Sequence, residues 1–106
     1  MDRAFEVFEG MEAHGYVTNV VTFNILIEGF CRIRKIEDAV RLFHQMEGKR
    51  PLPDLFTYNI LINGLCKMGK THEAFGLLAV MLQKGHEPDT VTLTTLIDRL
   101  CKEGKL

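Results

Sequence analysis

The chain repeats itself at a fixed interval of 35 residues. "TFNILIEGFC" runs from Thr22 to Cys31, and "TYNILINGLC" runs from Thr57 to Cys66. Residues 20–54 laid over 55–89 share 14 of 35 identities, and the matches fall in rows. Thr22, Thr57 and Thr92 align, as do Leu26, Leu61 and Leu96, and Ile27, Ile62 and Ile97. Met11, Met46 and Met81 form another row, Ala4, Ala39 and Ala74 another, and Asn19, Asp54 and Asp89 close their units. Self-similarity at this period is the signature of stacked supersecondary units, each too small to bury its apolar face alone.

Each unit reads as two helices. Phe23, Leu26, Ile27 and Phe30 are spaced by three and four, which places them on one helical face. Ile36, Ala39, Val40, Leu42, Phe43 and Met46 keep the same period in the second helix. The β-branched letters of "VVTFNILI" would suit a strand, but the helical period outweighs them. Gly69–Lys70 breaks one helix from the next, and Gly85 with Pro88 stops another. Asp54 and Asp89 precede helices and have a threonine three residues on, so each suits a helix N-cap. Arg34 stands where Gly69 and Gly104 stand, at a turn where a left-handed residue other than glycine costs about 1 kcal/mol. Arg50 stands where Gly15 and Gly85 stand, and the helix beginning near Ile36 is therefore expected to end early, near Gly48.

The fold class that follows is all-α: an α-solenoid of antiparallel helix pairs, about six helices, in a right-handed superhelical stack. Residues 1–19 match the second half of a repeat, 20–54 and 55–89 are full repeats, and 90–106 match the first half of another. Natural solenoids close with polar capping repeats. None is evident here, so the chain reads as part of a longer array. Its two ends are complementary, which allows head-to-tail self-association into open chains.

Composition narrows the function classes. Apolar residues make up 46% and charged residues 25% of the chain, which are globular values. The net charge of −1 supplies no global positive field for a nucleic acid, so any such binding rests on a local pattern. No apolar run approaches the roughly 20 residues of a membrane span, and the opening "MDRAFEVFEG" has no secretory signal pattern. Cys31, Cys66 and Cys101 lie 35 apart, about one helix-packing distance of 9–10 Å between tiers. A disulfide needs Cα atoms within about 7 Å. They read as small buried helix residues in a reducing compartment, and Met11, Met46 and Met81 as core filling. His14, His44, His72 and His86 fall at unrelated places in their units and make no metal-ligand pattern. No phosphate loop or nucleophile elbow is present, so the sequence calls for no cofactor and no catalysis.

Helix pairs at a period of 35, opened by "VVTFNILIEGFCR" and carrying A-x-x-L-F-x-x-M in the second helix, resemble the pentatricopeptide repeat family over the whole chain. The Trp-containing start of the 34-residue tetratricopeptide repeat is absent, as is any Trp. The phrase N-x-L-I-x-G-L-C-K resembles the plain 35-residue subclass of plant organellar proteins, the restorer-of-fertility-like group. That resemblance implies sequence-specific binding of single-stranded RNA, one base per repeat, by a longer protein of the mitochondrion or chloroplast. It implies that the fifth and last residues of a repeat choose the base: Asn24 with Asp54, and Asn59 with Asp89. It further implies that Val21, Phe56 and Val91 wedge between bases, and that Arg32, Lys67 and Lys102 meet phosphate. Asn with Asp implies uracil, and Thr94 in the fifth place implies a purine, giving U-U-purine. Asn19 closes a unit whose fifth residue precedes the chain.

Each role has a plainer alternative. Asp54 and Asp89 serve equally as helix caps, and capping does not exclude a role at a base. Asn24 and Asn59 would otherwise be solvent-facing helix residues. Arg32, Lys67 and Lys102 suit helix C-termini through the dipole alone. Phe56 would otherwise pack between units. At the level of function, the alternatives are a protein- or peptide-binding scaffold and an assembly segment.

Overall fold

The computed structural model of the chain describes residues 2–15, 19–46 and 52–104. Among them are six helices: α1 (Asp2–Ala13), α2 (Val20–Arg32), α3 (Ile36–Met46), α4 (Leu55–Lys67), α5 (Thr71–Gln83) and α6 (Thr90–Lys102). There is no strand among the described residues. The expected end near Gly48, and Arg50 with it, lies outside the described residues, as do the side chains of Ala4 and several other α1 residues.

α2 pairs with α3 and α4 with α5, while α2, α4 and α6 stack in a row. α4 is the hub, touching α2, α3, α5 and α6. The body measures 50 × 29 × 18 Å with a radius of gyration of 14.3 Å. A compact domain of this length would have a radius of about 13 Å, so the stack is elongated along its repeat axis.

The helical faces read from the sequence are the faces that pack. Phe23, Leu26, Ile27 and Phe30 of α2 are all buried, and so are Ile36, Ala39, Leu42, Phe43 and Met46 of α3. Ala39, Ala74, Met46 and Met81 are fully buried. Met11 is half-buried. One aromatic contact joins successive tiers. Phe8 of α1 meets Phe23 of α2 edge-on at 4.9 Å, and 35 residues later Phe43 of α3 meets Tyr58 of α4 at 5.5 Å. Edge-to-face pairs of this kind add about 0.5–1.5 kcal/mol to area burial alone.

Arg34 adopts φ 64°, beside φ 78° at Gly69 and 67° at Gly104. Lys35 N–H donates to the Phe30 carbonyl at 2.8 Å and Lys70 N–H to the Leu65 carbonyl at 2.8 Å. The α2–α3 turn is thus the same left-handed helix stop as its glycine counterpart, forced onto an arginine.

Gly64 lets α4 approach α2. A Cβ there would lie 2.6 Å from Cys31 Sγ and 3.2 Å from Ile36 Cδ1. One period later the position is Arg99.

The cysteines depart from the expectation of burial. Cys66 is buried, Cys31 is half-buried and Cys101 is exposed. Burial at this place comes from the following tier, and among the described residues none lies outside α6. Burial first, and the nearby Glu28 carboxylate second, push the Cys31 thiol up to about 11 against an opposing pull from Lys67. It stays a neutral packing group.

Two substitutions test this packing by urea denaturation. Gly64→Val should lower stability by about 1–3 kcal/mol, through overpacking against Cys31. Arg34→Gly should raise it by about 0.5–1 kcal/mol, by relieving the left-handed turn.

Candidate nucleic-acid interface

The site grows from three equivalent helix starts. Asn19, Asp54 and Asp89 cap α2, α4 and α6, each accepting from the backbone N–H of the threonine three residues on: Thr22 at 3.0 Å, Thr57 at 3.0 Å and Thr92 at 2.7 Å. At α4 the cap is reciprocal, because Asp54 N–H donates back to Thr57 Oγ1 at 3.1 Å. This is the capping-box arrangement with threonine in the role usually taken by Glu or Gln.

Asp54 also reaches the preceding repeat. Asn24 Nδ2 donates to Asp54 Oδ1 at 3.1 Å, and Thr57 Oγ1 donates to Asn24 Oδ1 at 2.5 Å. The fifth and last residues of repeat 20–54 are therefore joined directly, with both ends of the amide engaged. Partial burial raises the Asp54 carboxyl. Hydrogen bonds from the Thr57 backbone, the Asn24 amide and the Phe56 backbone outweigh it and hold the group below its ordinary value. It is ionised at neutral pH.

Repeat 55–89 repeats half of this arrangement. Thr92 Oγ1 donates to Asn59 Oδ1 at 2.8 Å. Asn59 is only 4% exposed, and its Nδ2 is buried with no hydrogen-bond partner. Asp89 is exposed, and its carboxylate caps Thr92. The pairs expected to be equivalent thus differ: Asn24 with Asp54 is closed by a direct bond, and Asn59 with Asp89 is not. Neither asparagine is a freely solvent-facing helix residue, since Asn24 is half-buried and Asn59 buried. Thr94, in the corresponding place of α6, is exposed.

Val21, Phe56 and Val91 stand at the second residue of their helices, 59%, 61% and 64% exposed. Large apolar side chains left this open at one period form an unpartnered series along the stack. Phe56 does not pack between units.

Arg32, Lys67 and Lys102 close the same three helices and are all exposed. Arg32 pairs with Glu28 at 3.0 Å and Lys102 with Asp98 at 3.1 Å. Such exposed i,i+4 pairs contribute about 0.3–0.5 kcal/mol and yield readily to a competing anion. Asn63 takes the acid's place before Lys67, which has no ion pair among the described residues. A cleft of about 370 Å³ between α2 and α4 is lined by Arg32, Arg34, Lys67, Cys31 and Glu28 among others.

Two features escaped the sequence reading. The row of threonines at 22, 57 and 92 was visible as capping, but a cross-repeat bond at a separation of 33 residues leaves no local signature. A second cross-repeat cluster joins Thr71, whose Oγ1 donates to Glu103 Oε2 at 2.6 Å, to Arg99, whose Nη2 lies 3.5 Å from the same oxygen. Its residues have no counterparts one period earlier, where Ile36, Gly64 and Met68 stand, so periodicity could not find it.

Comparison with known proteins accords with this geometry. The model of the PPR repeat family matches residues 1–32, 18–67 and 53–102. A mitochondrial pentatricopeptide repeat-containing protein of Arabidopsis thaliana is 42% identical over 40 residues, which are 38% of this chain and 6% of that protein. The crystal structure of the maize pentatricopeptide repeat protein PPR10 superimposes with a TM-score of 0.90 at 28% identity, over 98% of this chain and 15% of that one. PPR10 in complex with an 18-nucleotide psaJ RNA element matches with a TM-score of 0.79 at 29% identity, over 92% of this chain and 14% of that one. The pentatricopeptide repeat domain of Arabidopsis protein-only RNase P 1, in complex with tRNA, shares the fold at 24% identity, with a TM-score of 0.81 over 97% of this chain and 53% of that one. The chain thus spans a small part of the full-length proteins it resembles.

The Asp54 cap carries a pH signature. Its folded carboxyl sits below the ordinary value of 3.8. The stabilisation is therefore fully present above that value and is lost as pH falls through the lower, folded one. Asp54→Asn keeps a capping oxygen but does not titrate, so its unfolding midpoint should fall less than the parent's below about pH 4. Asp54→Ala should cost about 1–2 kcal/mol at pH 7. Both are read from thermal unfolding across pH.

Proposed function

Because the chain belongs to the pentatricopeptide repeat family, we propose that it binds single-stranded RNA along α2, α4 and α6, one base per repeat. The observation that carries this reading is the direct hydrogen bond between Asn24 and Asp54, the fifth and last residues of one repeat. An amide held by a carboxylate keeps a donor and an acceptor in fixed directions. Uracil answers both, with its N3–H and its two carbonyls. Asn24 with Asp54 and Asn59 with Asp89 read uracil, and Thr94 reads a purine, giving U-U-purine. Asn19 contributes to the base before them.

Val21, Phe56 and Val91 insert between successive bases, and their exposure in a regular series supports this. Stacking on an aromatic contributes about 1–3 kcal/mol per base, which favours Phe56 as the strongest wedge. Arg32, Lys67 and Lys102 neutralise phosphates. The crystal structure of PPR10 with its RNA element supports RNA as the partner, and the mitochondrial Arabidopsis relative supports an organellar place of action for the longer protein. Two bases at about 1–3 kcal/mol each, less an association cost of several kcal/mol, make for weak binding by this chain alone.

A second reading has its own observation. Leu93 and Ile97 of α6 are exposed, whereas Tyr58 and Ile62, one period earlier, are buried. The uncovered face of α6 fits a second helix such as α1 of another copy, which would join molecules head to tail. A single sedimenting species of monomer mass across a wide concentration range would overturn this reading.

The RNA reading is tested on a longer array made by tandem copying of residues 20–89. Uridine-rich oligonucleotides should bind more tightly than others, and Asn24→Thr with Asn59→Thr in every copy should abolish that preference. Replacing Arg32, Lys67 or Lys102 by Gln should weaken all sequences equally and reduce the salt slope by about 0.7 for each phosphate no longer neutralised. Equal binding to every base before and after the asparagine changes would overturn the reading.

A further inference from the structure

Each base-reading asparagine has its amide carbonyl bound by a hydroxyl from the next repeat. Thr57 Oγ1 donates to Asn24 Oδ1, and Thr92 Oγ1 donates to Asn59 Oδ1. Both threonines are fully buried. The contact spans 33 residues both times, so it belongs to the stack rather than to either repeat.

An asparagine amide has two orientations, related by half a turn, which exchange its acceptor oxygen and its donor nitrogen. A hydroxyl spent on the oxygen selects one of them. The nitrogen is then left wholly uncommitted, while the oxygen keeps one lone pair for the base N3–H. Asn59 shows this plainly, with Oδ1 bonded to Thr92 and the buried Nδ2 unpartnered. A buried donor without an acceptor is an unfavourable state that a ligand acceptor relieves. In the preceding repeat Asp54 takes one of the two Nδ2 hydrogens of Asn24, and the other remains.

We propose that Thr57 and Thr92 are specificity-setting positioning residues: each fixes the amide of the preceding repeat so that the base meets an N–H donor. The inference rests on the RNA reading above and adds the discrimination between the two pyrimidines. Uracil and cytosine differ at ring position 4, where uracil carries a carbonyl acceptor and cytosine an amine donor. A fixed N–H complements the first and opposes the second, and rejection by unmatched donors is an effective source of selectivity. A flipped amide would invert the choice. The base chosen by one repeat is thus set partly by a side chain of its neighbour.

Thr92 gives the cleaner test. Thr57 Oγ1 also takes part in the α4 cap and lies 3.0 Å from Asp54 Oδ1, and Asp54 independently restrains Asn24. The Thr92 hydroxyl is directed at Asn59. Thr92→Val keeps the shape and removes the donor, while Thr92→Ser keeps the donor. The full chain, labelled with nitrogen-15, is titrated with oligouridylate and with oligocytidylate, following the side-chain amide resonances of Asn59. The expected result is a uridine-over-cytidine affinity ratio that falls about five- to tenfold in Thr92→Val and is kept in Thr92→Ser. In the RNA-free protein, Thr92→Val should broaden or split the Asn59 amide resonances, and Thr92→Ser should not. An unchanged ratio in Thr92→Val, or equal weakening toward both oligomers, overturns the proposal. If the parent chain binds neither oligomer, the RNA reading fails for this chain. The clamp is then judged by the RNA-free spectra, where unaltered Asn59 resonances in Thr92→Val overturn it.

Discussion

The structure turns on one carboxylate that serves two helices. Asp54 caps α4, accepting from its first-turn N–H groups, and holds the amide of Asn24 on α2. The cap requires an acceptor at that place. The amide requires the same acceptor to sit beside the previous helix. Both demands are met because α2 and α4 lie close, an approach that Gly64 permits where a Cβ would meet Cys31 Sγ at 2.6 Å.

The apolar framework follows the same logic of shared surfaces. No helix completes its own burial. α2 is covered by α1, α3 and α4 together, through Phe8 against Phe23 on one side and the close approach at Gly64 on the other. α6 has the same apolar pattern, yet Leu93 and Ile97 stand open because nothing lies outside them among the described residues. Burial here is a property of position in the stack rather than of the residue, which is why Cys66 is sealed and Cys101 is not.

This explains what could be read from the sequence. The helical faces, the hairpin pairing, the caps at Asp54 and Asp89 and the left-handed turn at Arg34 are set by neighbours within a few residues, or by a period that the chain states openly. The inequality of the two Asn–Asp pairs was hidden because their letters are identical. Two differences accompany it: Asp54 approaches α4 at φ −110° and Asp89 approaches α6 at φ −82°, and Gly64 in one tier is Arg99 in the next. The Thr71–Arg99–Glu103 cluster was hidden for the opposite reason, because it breaks the period instead of keeping it.

The hydroxyl of Thr57 on the oxygen of Asn24 has a consequence for how such a chain can be rearranged. The tile that folds ends at Asp54, but the set of atoms that orients Asn24 ends three residues further on. A segment cut at the tile's edge and spliced elsewhere keeps its letter and leaves behind part of its grammar. Its new successor completes the contact if it opens with a residue that donates a hydrogen bond, and otherwise does not. Copying in phase, as the two near-identical phrases of this chain imply, carries the contact along intact. Shuffling dissimilar tiles does not, so the orientation of each amide depends on the tile that follows it.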